Sequence, residues 1–124
     1  MAGAFDTAVI GAGVFGAWIA WHLRRAGQRV LLVDQYGPAN ARASSGGESR
    51  VIRMGYGNDA VYTRLSRDSL VAWKSFFTRV GQPELFRETG VLWLAAPGDP
   101  RAQASLEVLA REAITHEVLH AEDL

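Results

Sequence analysis

AVIGAGVFGAWIAWHLRRAGQRVLLVD, residues 8 to 34, carries the reading of this chain. The run from Phe5 to Gly11 is short, β-rich and stops at glycine. Val14 to Gly27 follows with helix formers, Arg24 and Arg25 where a last turn would lie, and Gly27 as a stop. Gln28 to Asp34 is then an apolar run ending in a carboxylate, as expected for a strand buried on both faces of a parallel sheet. Strand, turn, helix and strand in that order predict a βαβ unit.

The turn inside this unit, Gly11, Ala12, Gly13, Val14, Phe15 and Gly16, fits G-x-G-x-x-G, with a strand before it, a helix after it and an acidic residue closing the second strand. That context predicts an α/β chain with a Rossmann-like dinucleotide-binding domain. Gly11 permits the tight turn, Gly13 lets backbone approach a pyrophosphate, and Gly16 lets helix and strand pack closely. Val14 and Phe15 open a helix whose N-terminal N–H groups face the phosphate. Asp34 is expected to accept hydrogen bonds from the ribose hydroxyls of the adenosine half, and its charge disfavours a 2′-phosphate. Thirteen glycines could place three in a turn by accident, but the register of strand, helix, Gly27 and Asp34 argues against it. The pattern by itself does not separate NAD from FAD.

Gln35 to Asn58 reads as a long irregular segment with one proline and five glycines, a length usually kept for function. A helix is predicted from Asp59, with Tyr62, Leu65, Ser69, Ala72, Phe76 and Val80 at helical spacing and Arg64, Arg67, Asp68 and Lys74 on a polar side. Gly81 and Pro83 end it. Residues 88 to 97, ETGVLWLAAP, predict a turn and a strand. Asp99 and Pro100 predict an N-cap and first-turn pair opening a helix that runs to about Thr115.

The chain has 124 residues, 48% apolar and 21% charged, an ordinary globular composition for one domain. Thirteen basic residues balance thirteen acidic ones, so no overall field favours nucleic acid or an anionic membrane. Without cysteine the chain has no disulfide, thiolate metal site or thiol nucleophile. Asp6 and the glycines in the first apolar run argue against a signal peptide, and no stretch reaches the roughly 18 apolar residues of a membrane span. A cytoplasmic location is expected.

SSGGESRVIRMGYG, residues 44 to 57, begins ten residues after Asp34 and so leaves the adenosine end of the predicted site along the bound dinucleotide. Its glycines would let backbone lie against a flat ring. Arg50 and Arg53, one helical turn apart if the segment coils, could offer fixed charge to a carboxylate or a reduced ring. Together VIGAGVFG, LLVDQYGPA, SSGGESRVIRMGYG, YTRLSRDSLVAW and ETGVLWL resemble the N-terminal part of the FAD-dependent amine and amino-acid oxidase family, nearest to its sarcosine oxidase and N-methyltryptophan oxidase branch. Ser44, Gly47, Arg50, Ile52, Arg53, Tyr56 and Gly57 match that family's loop pattern, whereas Ser45, Gly46 and Met54 stand where it has histidines, which leaves the substrate open.

The resemblance implies FAD as cofactor, with Gly11, Gly13, Val14, Phe15, Gly16, Asp34, Gln35, Ser44, Gly47 and Arg50 as its binding residues. It implies Arg50 near the flavin ring and Arg53 on the substrate carboxylate, in oxidation of a secondary or primary amine to an imine with oxygen giving hydrogen peroxide. It also implies an incomplete protein: residues 1–80 as the N-terminal part of an FAD-binding domain, and 81–124 as the start of the segment leading into a substrate domain. HAEDL at the end would open the next helix. Rival readings are a dinucleotide-binding module without catalysis and a nicotinamide-dependent dehydrogenase, which would not need the arginine loop.

HEVLH, 116 to 120, fits the H-E-x-x-H zinc pattern, but only four residues follow and none is a distant third ligand; Val118 and Leu119 also suit a strand, so surface histidines are expected. Trp18, Trp21 and Trp73 fall on apolar helical stripes and are expected to pack rather than bind.

Overall fold

The computed structural model describes residues 3–120. Their order is β1 (Thr7–Ile10), α1 (Val14–Arg25), β2 (Val30–Val33), α2 (Ala60–Arg79), a 3-10 turn (Pro83–Leu85) and α3 (Pro100–Arg111). The chain divides after Arg50 into two compact units. No helix among the described residues is long and apolar enough to cross a membrane.

The first unit is the βαβ motif. β1 and β2 pair in parallel, Thr7 opposite Val30 and Ile10 opposite Val33. The ladder continues where the Gly11 N–H donates to the Val33 carbonyl at 2.7 Å, which brings the glycine turn to the end of β2. At the other end Arg29 grips the Asp6 carboxylate, its Nη2 at 2.7 Å from Oδ1, and donates its backbone N–H to Oδ2 at 2.8 Å. These bonds hold the Asp6 carboxyl below the usual carboxylate range, the side-chain bond foremost. α1 stops as expected: Gly27, at φ +86°, donates to Arg24 and Gln28 donates to Leu23, a Schellman closure. Val9 and Ala20 are buried between strand and helix.

Burial of β2 on both faces is not found. Leu31, Leu32 and Val33 are exposed, and Ile10 on β1 is 87% exposed. A two-stranded sheet with one covering helix can bury only one side of each strand, so the continuous apolar run marks surface that this sheet does not cover.

The second unit packs α2 against the 3-10 turn and α3. α2 begins after Asp59 and closes at Gly81 by the same Schellman bonds, Gly81 to Thr78 and Gln82 to Phe77. Its buried side differs from the predicted stripe. Of that stripe Tyr62, Leu65, Ser69 and Val80 are exposed and Ala72 and Phe76 are half-buried; Thr63 is fully buried, and Ser66, Arg67, Leu70, Trp73 and Phe77 are half-buried along the helix. Neighbouring segments explain the burial in its first turns: Thr63 Oγ1 donates to the Met54 carbonyl at 2.8 Å, and Glu112 draws Arg64 to 2.7 Å and Arg67 to 3.9 Å. Trp73 stacks on Phe77 at 5.3 Å, and Trp18, Trp21 and Trp73 are all half-buried.

α3 starts as predicted, Asp99 Oδ1 accepting from the N–H groups of Arg101 and Ala102. It stops at Arg111, short of Thr115, because Ala113 turns left-handed at φ +54° and its N–H and that of Ile114 return to Ala110 and Leu109. Two predicted strands are absent. Residues 88–97 are irregular, with Leu94 75% exposed, and 118–119 are irregular too. Their composition suits a strand, but no described strand forms a ladder with them. The HAEDL helix lies mostly outside the described residues.

Candidate functional site

The glycine turn between β1 and α1 assigns each glycine a different physical role. Gly11 has φ +99°, a left-handed conformation that disfavours a side chain. Gly16 is excluded from any larger residue by packing, since a Cβ there would lie 1.8 Å from the Gly11 carbonyl oxygen and 3.5 Å from Val9 Cγ1. Gly13 answers to neither demand: its φ of −67° and ψ of −178° suit any residue, and its Cβ would meet only Ala43 Cβ, at 4.0 Å. Among the described residues nothing requires Gly13, so the space beside it fits a group brought from outside.

Gly13 is also the N-cap of α1, which has no side-chain cap and no acidic residue in its first turn. The helix's own first bond runs from Ala17 N–H to the Gly13 carbonyl, and Val14, Phe15 and Gly16 precede it. Uncapped N–H groups at a helix N-terminus, beside a turn with room for close approach, are the chemistry of an anion cradle. The donors and the space fit a dinucleotide pyrophosphate.

Asp34 stands just past β2 and reaches this turn. Its Oδ2 accepts the Ala12 N–H at 2.7 Å and its Oδ1 the Tyr36 N–H at 2.8 Å. The bond from Ala12 first, then those from Tyr36 and Gly37, hold its carboxyl below the usual carboxylate range. Gln35 next to it is exposed. The segment that follows is irregular throughout, as its glycines predict. Asn40 Nδ2 donates to the Gly37 carbonyl at 2.8 Å, and Arg42 lies over the Tyr36 ring at 4.4 Å with Nη1 2.8 Å from the Tyr36 hydroxyl. Ser44 is exposed.

The two arginines do not share a helical turn, because residues 50–53 form no helix. Arg50 donates to the carbonyls of Ser49 and Gly46 in its own loop. Gly47 permits this with φ +129°, since a Cβ there would lie 2.9 Å from Arg50 Nη1. Arg53 belongs to the second unit and lies over the Tyr56 ring at 5.4 Å.

Sequence reasoning missed the residues that hold the Arg53 segment. Thr63 fixes the Met54 carbonyl, and Ser105 Oγ accepts the buried Gly57 N–H at 2.8 Å while donating to the Arg101 carbonyl at 2.9 Å. Gly55 passes so close to Trp93 that a Cβ would lie 2.9 Å from the ring. The one signal was a small polar residue, Ser105, beside apolar positions of α3, which is common in helices that bind nothing. Tyr56, Gly57, Asn58, Asp59, Arg101 and Ala104 border an open groove of about 370 Å³ in this unit.

His116 and His120 lie in an irregular stretch, so the helical face that an H-E-x-x-H zinc site needs is not formed.

The profile of the DAO family, described as FAD dependent oxidoreductase, matches residues 6–124. The peroxisomal sarcosine oxidase of Mus musculus is 35% identical over 97% of this chain and 30% of its own length. The monomeric sarcosine oxidase of a Bacillus species is 29% identical over 97% of the chain and 31% of its own length. The N-methyl-L-tryptophan oxidase of Salmonella dublin is 32% identical over 88% and 28%. The chain therefore spans about 30% of the length of these curated relatives.

Proposed function

The chain belongs to the FAD-dependent oxidoreductase family, and from that premise we propose that it is the N-terminal FAD-binding portion of an oxidase acting on the amine of a small amino acid. The observation that carries this reading is Gly13, a glycine that packing among the described residues does not require, at the uncapped N-terminus of α1. Gly11, Gly13, Val14, Phe15 and Gly16 would hold the pyrophosphate, and Asp34 and Gln35 would lie toward the adenosine ribose. Ser44, Gly47 and Arg50 would continue along the cofactor toward its flavin. Residues 1–80 would belong to the FAD-binding domain and 81–124 would begin the passage into the substrate domain.

FAD, when bound, supplies the two-electron acceptor that turns a secondary or primary amine into an imine, with oxygen as final acceptor and hydrogen peroxide as product. The protein's part is to place charge. Arg50, held by its own loop carbonyls, keeps a fixed cation on the 46–50 turn that would favour negative charge on a reduced ring. Arg53 has its guanidinium carbon 5.4 Å over the Tyr56 ring, and the N–H edges of a guanidinium are what a carboxylate engages in a bidentate grip. The sarcosine and N-methyltryptophan oxidases among the relatives support an N-methylated amino acid as substrate. We place the protein in the cytoplasm, although two relatives are named peroxisomal.

An absorbance spectrum followed by anaerobic addition of sarcosine tests this. A yellow protein that bleaches is the expected result. A yellow protein that does not bleach with any N-methylated or primary amino acid would favour the second reading, a dinucleotide-binding module without turnover. A colourless protein in its longest form would refute both.

A further inference from the structure

Both oxygens of Asp34 are engaged by the protein itself. Oδ2 accepts the Ala12 N–H at 2.7 Å, and Oδ1 accepts from Tyr36 N–H at 2.8 Å and from Asn40 Nδ2 at 3.4 Å. A carboxylate offers about four lone-pair positions, so a ribose diol would meet a group already largely committed. Ala12 stands between Gly11 and Gly13, in a turn with few side chains to restrain it. Asp34 makes a side-chain hydrogen bond to the centre of these three residues.

We propose that Asp34 is a positioning residue, a latch that orders the glycine turn before the pyrophosphate arrives, in addition to any contact with ribose. The inference rests on the dinucleotide reading above. A turn flanked by two glycines loses much conformational entropy when a ligand fixes it. A charge-assisted bond to its central N–H makes part of that loss beforehand, which is how preorganisation raises affinity. The same carboxylate joins the turn to the start of the 35–50 segment through Tyr36 and Asn40, so both sides of the cradle are set by one group. The depressed carboxyl pKa agrees with an ionised acceptor.

The test compares the parent protein with Asp34→Ala and Asp34→Asn in two measurements. Hydrogen exchange of the Ala12 amide is followed without ligand, and affinity is measured for FAD and for an FAD analogue lacking the adenosine ribose hydroxyls. The latch requires faster Ala12 exchange in Asp34→Ala and a loss of affinity, on the order of tenfold, for the analogue, with a loss at least as large for FAD. Asp34→Asn keeps one carbonyl acceptor, cannot hold Ala12 and Tyr36 with it at full strength, and is expected to fall between. Unchanged Ala12 exchange, or a penalty confined to FAD and absent with the analogue, would overturn the inference in favour of ribose contact alone. Failure of the parent protein to bind either ligand would instead strike the dinucleotide reading, while Ala12 exchange would still judge the latch.

Discussion

Replacing Gly13 and Gly16 by alanine, one at a time, separates what the fold requires of the glycine turn from what the cofactor requires. At Gly16 the new Cβ would sit 1.8 Å from the Gly11 carbonyl oxygen and 2.9 Å from its carbon, so helix and turn must part by roughly an ångström. Overpacking of this kind costs about 1–3 kcal/mol. The displaced atoms belong to the residue whose N–H bonds Val33 at 2.7 Å, and weakening that bond adds about 1 kcal/mol. A total near 3 kcal/mol is a large part of an ordinary domain's ~5–15 kcal/mol. At Gly13 the Cβ meets Ala43 at 4.0 Å in ordinary contact, and the backbone angles suit alanine. There the loss of a tolerated N-cap glycine and the gain from a stiffer unfolded chain nearly cancel, leaving stability within about 0.5 kcal/mol. FAD should respond in the opposite order, since the Gly13 methyl enters the space where backbone meets pyrophosphate. Denaturant unfolding followed by circular dichroism gives the first quantity, and quenching of flavin fluorescence on titration gives the second. Gly13→Ala is expected to keep the parent midpoint and lose at least tenfold in FAD affinity. An unfolding midpoint lowered as far as that of Gly16→Ala, or FAD affinity within twofold of the parent, would refute the assignment of Gly13 to the ligand.

Ser105→Ala removes the acceptor of the buried Gly57 N–H and should cost about 1–3 kcal/mol, read as a lowered unfolding midpoint. Thr63→Val keeps shape but withdraws the donor from the Met54 carbonyl, with an expected loss of about 1–2 kcal/mol by the same assay. Ala113→Gly relieves the left-handed residue after α3 and should stabilise by about 0.5–1 kcal/mol; a destabilised variant would mean that Ala113 is not strained. Because Asp6 and Asp34 have depressed carboxyl pKa values, the unfolded chain binds their protons first on acidification. Their contribution is complete above the ordinary carboxylate value near 4 and is lost as pH falls through their folded values, so Asp6→Asn should flatten the acid limb of a stability profile.

Where local chemistry dictates conformation, the sequence was sufficient. Gly27 and Gly81 end helices because a left-handed residue closes them most easily as glycine, Asp99 caps α3 with its own carboxylate, and the spacing of Gly11, Gly13 and Gly16 places the turn between β1 and α1. Each is decided within a few residues along the chain. What depends on a partner distant in sequence was not legible. At the start of α2 Thr63 turns inward to the Met54 carbonyl and Glu112 draws Arg64 and Arg67, contacts made only in space, so the first half of a stripe drawn from apolar periodicity is exposed while Ala72 and Phe76 in its second half are half-buried. Residues 88–97 have strand composition, yet a strand exists only when a ladder partner is present, and none among the described residues pairs with them. Ala113 ends α3 where no glycine announces a stop, because the closing bonds to Ala110 and Leu109 are reached at the cost of an uncommon backbone angle. Asp34 shows the division within one residue. Its place after β2 was evident from spacing, while its engagement with Ala12, 22 residues earlier, required the sheet to bring the ends of β1 and β2 together.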